Sequence, residues 1–260
     1  MKTNYETLQV EYNSPTLIVK LNRPRKANAM NTKMSEEIAG ILLELRTWSD
    51  CKYVIFTGNG NHFSAGADME EVGEQLKNNH DILSMIRNDQ LARIDFMRKF
   101  DEMDQISIAA INGSMYGAGF ATAMACDFRI MADTATACLP EAQRGMFFTA
   151  GCTGRLVNLI GPAKAKELIM LCEVIDADES LRIGLVNKVV PHEELMNKTE
   201  VMIQQLEKSP FLPLKMTKKI VNASSPVLGN TVMYESDLLE LTFMQSDMKK
   251  SVASYSKGNE

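Results

Sequence analysis

Two short segments carry backbone suited to chemistry. Ser64-Ala65-Gly66-Ala67-Asp68 closes one strand, and Ala110-Ile111-Asn112-Gly113 runs through Gly117-Ala118-Gly119 to Ala125-Cys126-Asp127. Each puts a small or glycine-rich backbone where a strand gives way to a loop or helix, so its N–H groups stay free to meet an incoming oxygen. One donor from each segment, roughly 50 residues apart, can polarise a single carbonyl oxygen, which is the arrangement of an oxyanion hole. Glu141, in Leu139-Pro140-Glu141, adds a carboxylate. The combination points to acyl chemistry through a stabilised enolate. Tight packing of a strand on a helix also demands small residues, so the segments alone leave both readings open.

The elements that must position these groups follow from hydrophobic spacing. Leu8–Val10 and Leu17–Leu21 are short apolar runs separated by Asn13-Ser14-Pro15, a hairpin signal. A polar loop spans Asn22–Ala29. From Asn31 the spacing of Met34, Ile38, Ile41, Leu42 and Leu45 predicts a helix. Tyr53–Thr57, Ile106–Ile111 and Phe128–Ala132 read as buried strands, Ile82–Met103 as a long charged helix, and Gly119–Met124 as a small-residue helix. A further helix starts near Gly161-Pro162, and Gly184-Leu185-Val186-Asn187 with Val189-Val190-Pro191 marks one last strand-like piece. Beyond His192 the pattern is helical only, and this tail is too small for its own core, so it must pack on the main body or on a neighbour. Strands alternating with helices argue for an α/β fold with crossover connections.

The bulk properties fit an enzyme. The 260 residues, 45% hydrophobic, can bury one sizeable core. A net charge of −5 argues against a nucleic-acid surface. Five scattered cysteines without paired spacing read as reduced core thiols, with no metal site, in a cytoplasmic protein. The uncharged run between Asp104 and Asp127 contains Gln105, Asn112, serines and glycines, so it reads as a buried strand–turn–helix and no membrane insertion is expected. The first residues lack a signal peptide's apolar stretch. No G-x-G-x-x-G closes an early strand, which sets aside a dinucleotide fold.

In order and spacing, Asn22-Arg23-Pro24, Asn28-Ala29-Met30, Phe63–Asp68, Ala110–Gly113, Gly117-Ala118-Gly119, Cys126-Asp127, Leu139-Pro140-Glu141, Gly154-Arg155-Leu156 and Gly184-Leu185-Val186 resemble the crotonase (enoyl-CoA hydratase/isomerase) superfamily over most of the chain. The resemblance implies a spiral of strand–strand–helix turns over residues 1–192, holding an acyl-CoA site. It assigns residues 193–260 to a helical region used for oligomerisation, as a homotrimer or a dimer of trimers. The expected substrate is an acyl-CoA thioester; coenzyme A enters with it, and no separate cofactor is implied.

Carried over residue by residue, the resemblance puts the two backbone donors on Ala67 and Ala118. The second is usually glycine, and alanine serves provided its φ is negative. Arg25, Lys26, Ala27 and Ala65 match the region that approaches coenzyme A, with Gly66, Asp68 and Gly117 beside it. Tyr116, Phe148 and Thr149 are candidates for the acyl cavity, and Arg144 a weaker one. Asp68 and Asp127 also read as turn anchors. Lys215, Lys218 and Lys219 can reach a phosphate or simply face solvent. His62, His80 and His192 read as surface residues.

Similar hydratases grip water with two glutamates. Glu141 matches one, but the position of the other holds Ala121, and a glycine usual eight residues past Glu141 is Thr149. One carboxylate suffices to carry a proton from one carbon of an enolate to another. Burial beside Phe147 and Phe148 would raise its pKa for that task. Double-bond isomerisation is therefore the leading expectation. Hydration or lyase chemistry, hydrolysis and decarboxylation on the same scaffold stay open, as does a non-catalytic acyl-CoA-binding or scaffold role.

Overall fold

The structure is a computed structural model that describes residues 4–78, 81–149, 151–224 and 231–244. The opening hairpin joins β1 (Leu8–Asn13) to β2 (Thr16–Leu21), antiparallel, with Leu8 opposite Leu21. Helix α1 (Thr32–Leu45) starts where Asn31 Oδ1 accepts the Met34 N–H at 3.0 Å, and all five residues that predicted it are buried.

Three turns then repeat one device, each sending one strand to each of two sheets. They are β3 (Tyr53–Gly58) with β4 (His62–Ser64), β5 (Ile106–Ile111) with β6 (Ser114–Tyr116), and β7 (Phe128–Ala132) with β8 (Thr136–Cys138). Helices follow each pair: α2 (Met69–Asn78) and α3 (Ile82–Glu102), then α4 (Ala118–Ala125), then α5 (Cys152–Ile160) and α6 (Pro162–Leu171). After β9 (Ile175–Asp176) and α7 (Ala177–Arg182), β10 (Lys188–Val190) closes the large sheet beside β7. The large sheet runs β1-β2-β3-β5-β7-β10 and is parallel from β2 onward; the small one runs β4-β6-β8-β9. The spiral of strand–strand–helix turns is therefore present. β5 is buried at every residue, as parallel strands covered on both faces must be.

The tail forms α8 (Leu195–Leu206), α9 (Phe211–Ser224) and α10 (Thr231–Met244). It packs on the main body, α8 against β5 and β7, and α10 against α3. Strands β6, β8 and β9 escaped the sequence reading because two or three residues are too few to show alternation, whereas the missed helices α2 and α5 are amphipathic and were legible. Gly184–Asn187 leads into β10 without joining it. All five cysteines are buried free thiols. Among the described residues no helix is long and apolar enough to cross a membrane, and no cluster of residues is suited to a metal.

Candidate active site

The two donor loops meet. In the first, Met30 N–H donates to Gly66 O at 2.7 Å and Asp68 N–H donates to Met30 O at 2.9 Å. The peptide between Gly66 and Ala67 is planar and trans, so with its carbonyl aimed at Met30 its N–H points the opposite way. In the second loop, Ala118 is the first residue of α4, where an N–H lacks an intrahelical acceptor. Neither N–H has an acceptor among the described residues. Gly66 (φ 98°) permits the approach: a Cβ there would sit 3.1 Å from Tyr116 O and 3.6 Å from Ala118 N. Ala118 does not share the positive φ of its neighbour Gly117, so its methyl is tolerated as expected.

Both alanines line a cavity of about 420 Å³ whose walls also include Glu141. Gly117 (φ 48°) lies under that carboxylate, and a Cβ at 117 would stand 2.7 Å from Glu141 Oε1. Glu141 Oε2 is buried and accepts no hydrogen bond among the described residues. Burial pushes the carboxyl up to about 7, although its own backbone N–H, Arg144 and Arg93 pull the other way. A carboxyl at that value changes protonation state near neutral pH with little cost in either direction. The other carboxylates of the cavity wall are occupied or on the rim. Asp89 pairs with Arg93, Asp95 with Lys99 and Arg98, Glu71 accepts the Thr32 N–H at 2.8 Å, and Glu36 is exposed.

Phe148 and Thr149 line the cavity as expected, with Phe148 edge-on to Phe120 at 6.4 Å. Ala121 puts a methyl into the same wall. Several expectations need correction. Tyr116 does not line the cavity; its hydroxyl pairs with Thr136 Oγ1 at 3.0 Å, because alternation along β6 turns it toward β8. Asp68 is not available to a ligand, since its carboxylate binds Arg23 at 2.8 Å and caps α2 through the Glu70 and Glu71 N–H groups. Burial works against that charge, but Arg23 and those N–H groups hold the carboxyl below its usual range.

Arg25 and Lys26 are exposed on a single helical turn, Pro24–Lys26, outside the cavity wall, and Lys26 pairs with Glu70. The Ala65 N–H is spent on Ala27 O at 2.9 Å. Lys218 is neither solvated nor free for a phosphate: it is buried and donates to Gln105 O at 2.7 Å and Asp127 Oδ2 at 2.9 Å. Lys215 and Lys219 both pair with Asp104. Asp127 anchors its turn, accepting the Ser107 N–H and Oγ–H, each at 2.8 Å. Arg144 stays off the cavity wall. His62 pairs with Ser114 Oγ, the His192 N–H donates to Asp133, and His80 lies outside the described residues.

Sequence reasoning missed the wall supplied by α3 and α10: Ile86, Gln90, Arg93, Met97, Leu239 and Phe243. The α3 residues among them were legible, because 86, 90, 93 and 97 follow the spacing of one helix face.

Comparison with known proteins agrees with this geometry. A family model described as enoyl-CoA hydratase/isomerase matches residues 11–259. The chain is 31% identical over 255 residues to a probable enoyl-CoA hydratase of Mycobacterium bovis, covering 96% of this chain and 95% of that protein. It is 32% identical over 248 residues to a short-chain-enoyl-CoA hydratase of Clostridium acetobutylicum, covering 95% and 93%. The crystal structure of an enoyl-CoA hydratase from Bacillus anthracis superposes with a TM-score of 0.78 at 28% identity, covering 97% of this chain and 96% of that one.

Proposed function

Because this chain belongs to the enoyl-CoA hydratase/isomerase family, we propose that it moves the double bond of an enoyl-CoA thioester by a proton transfer through one carboxylate. The observation that supports this most is Glu141, a buried carboxyl poised near 7 in a cavity that also presents the Ala67 and Ala118 backbone, with a methyl at Ala121 where a second acid would be needed to grip water. The thioester oxygen accepts hydrogen bonds from the two N–H groups. Ionised Glu141 takes a proton from C2 of a 3-enoyl chain. The electron pair of that C–H bond delocalises over the thioester and the former double bond, and the negative charge collects on the oxygen where the donors are aimed. Protonated Glu141 then returns its proton to C4, and a 2-enoyl thioester leaves with no atom gained or lost.

Hydration is the second reading, favoured by the relatives at 31% and 32% identity, which are named as enoyl-CoA hydratases. It requires Glu141 and the neighbourhood of Thr149 to hold the water alone. Incubation with 3-hexenoyl-CoA, followed by ultraviolet absorbance of the conjugated thioester and mass spectrometry, separates the two. A shifted double bond with no added water is expected; gain of one water from 2-hexenoyl-CoA instead would replace isomerisation by hydration.

We assign the coenzyme A phosphates to Arg25 and Lys26, the adjacent exposed cations of the 24–26 turn. Residues 193–260 are assigned to self-association as a trimer or a dimer of trimers. Leu212, Met216 and Ile220 support this, since they form an exposed stripe at helical spacing on α9 with exposures of 53, 55 and 68%. Light scattering that returned a monomer at micromolar concentration would remove that assignment.

A further inference from the structure

The inward face of α3 reads Ile86, Gln90, Arg93, Met97 and Phe100 at helical spacing, and the first and last two are buried apolar side chains as a core stripe requires. Gln90 and Arg93 interrupt it where the helix faces the cavity. Three apart on a helix, they are surface neighbours.

Both carry unmet hydrogen-bonding capacity. Gln90 is 2% exposed, and its Oε1 is buried with no donor among the described residues. Arg93 donates through Nε to Asp89 Oδ2 at 2.6 Å, and its Nη groups make no hydrogen bond to a described residue. The Arg93 side chain lines the cavity and is 39% accessible, so its Nη groups are open to a ligand. A buried amide oxygen without a donor is costly unless a ligand completes it, and the open guanidinium edge of Arg93 can hold the same ligand group.

We propose that Gln90 and Arg93 recognise a hydroxyl group on the acyl chain, so that the preferred substrate is a hydroxyl-bearing acyl thioester; this rests on the acyl-thioester reading of the same cavity. A hydroxyl accepts from the Arg93 Nη and donates to Gln90 Oε1, which satisfies both groups at once. A plain alkyl chain leaves both unsatisfied. A carboxylate satisfies Arg93 alone, leaves Gln90 Oε1 without a donor, and adds a second negative charge to the chamber that holds Glu141.

The test is calorimetric titration of the intact enzyme with hexanoyl-CoA, its 4-, 5- and 6-hydroxy counterparts, and adipoyl-CoA, none of which has a double bond to move. One hydroxy isomer is expected to bind about ten-fold tighter than hexanoyl-CoA. Q90L and R93M are each expected to erase that preference while binding hexanoyl-CoA at least as well. Equal binding of hexanoyl-CoA and all three hydroxy isomers by the wild-type enzyme would overturn the proposal without recourse to any variant. Preference for adipoyl-CoA would also overturn it, by assigning an anion to Arg93. A hydroxyl preference that persists while 3-hexenoyl-CoA undergoes no double-bond shift would overturn isomerisation and leave this inference standing. Failure of every thioester to bind would overturn the acyl-CoA reading itself.

Discussion

Asp127 and Glu141 are two largely enclosed carboxylates on consecutive segments of one spiral, and their surroundings are opposite. Asp127 receives two hydrogen bonds from Ser107 and an ion pair from Lys218, so its charge is fully accommodated. Glu141 has one oxygen with no partner among the described residues and the other above a glycine at the cavity wall. Burial with partners makes a carboxylate a strut; burial without them raises its pKa and leaves it a proton carrier.

Removing each carboxylate's chemistry breaks the comparison in different ways. E141Q should lower turnover by 10²–10⁴-fold, the usual range for a positioned acid or base. Thioester binding should survive, read by calorimetry with hexanoyl-CoA. A variant that keeps its rate would make Glu141 a strut as well. K218M should instead cost about 1–3 kcal/mol of folding stability, because the half-buried Asp127 loses its cation and keeps only its Ser107 donors. Denaturant unfolding measures that loss, and the activity of the molecules that remain folded should be unchanged.

The next difference is one of sign. The Glu141 carboxyl sits at about 7 when folded against an ordinary 4.5. Below pH 4.5 it is protonated in both states and folding bears no penalty. As pH rises through 7, the folded protein must hold a charge that the unfolded chain already carries in water, and stability is lost. E141Q removes that loss, so at pH 8 it should be more stable than the wild type by up to about 3 kcal/mol. The gap should close toward pH 4.5, as a series of unfolding curves would show. The smallest effect is kinetic. The wild-type rate should rise with pH about a midpoint near 7 as the base form of Glu141 appears.

Legibility followed how local each signal is. The buried strands Tyr53–Gly58, Ile106–Ile111 and Phe128–Ala132 and helix α1 announce themselves by spacing within one element. The donor loops announce themselves by small residues at strand ends. Lys218 looked like a solvated lysine because nothing near it on α9 hints at Gln105 and Asp127, which reach it from distant parts of the chain. Tyr116 looked like a pocket residue because it adjoins Gly117, but β6 is three residues long and its alternation showed only once its pairing with β8 was known. Gln90 and Arg93 were legible only as positions on one face of a long charged helix; that this face lines a cavity shows only where α4 and the 146–149 segment meet it.

By itself, then, the sequence determined the order of the main strands and helices, the two small-residue loops and the presence of one carboxylate in the Leu139-Pro140-Glu141 segment, because each rests on residue type and short-range spacing. Only tertiary structure decided which polar groups are satisfied. That is a question of which partners arrive from segments tens of residues away. It separates Asp127 from Glu141, buries Lys218, turns Tyr116 aside, and leaves Gln90 Oε1 without a donor near the Arg93–Asp89 pair in the cavity wall.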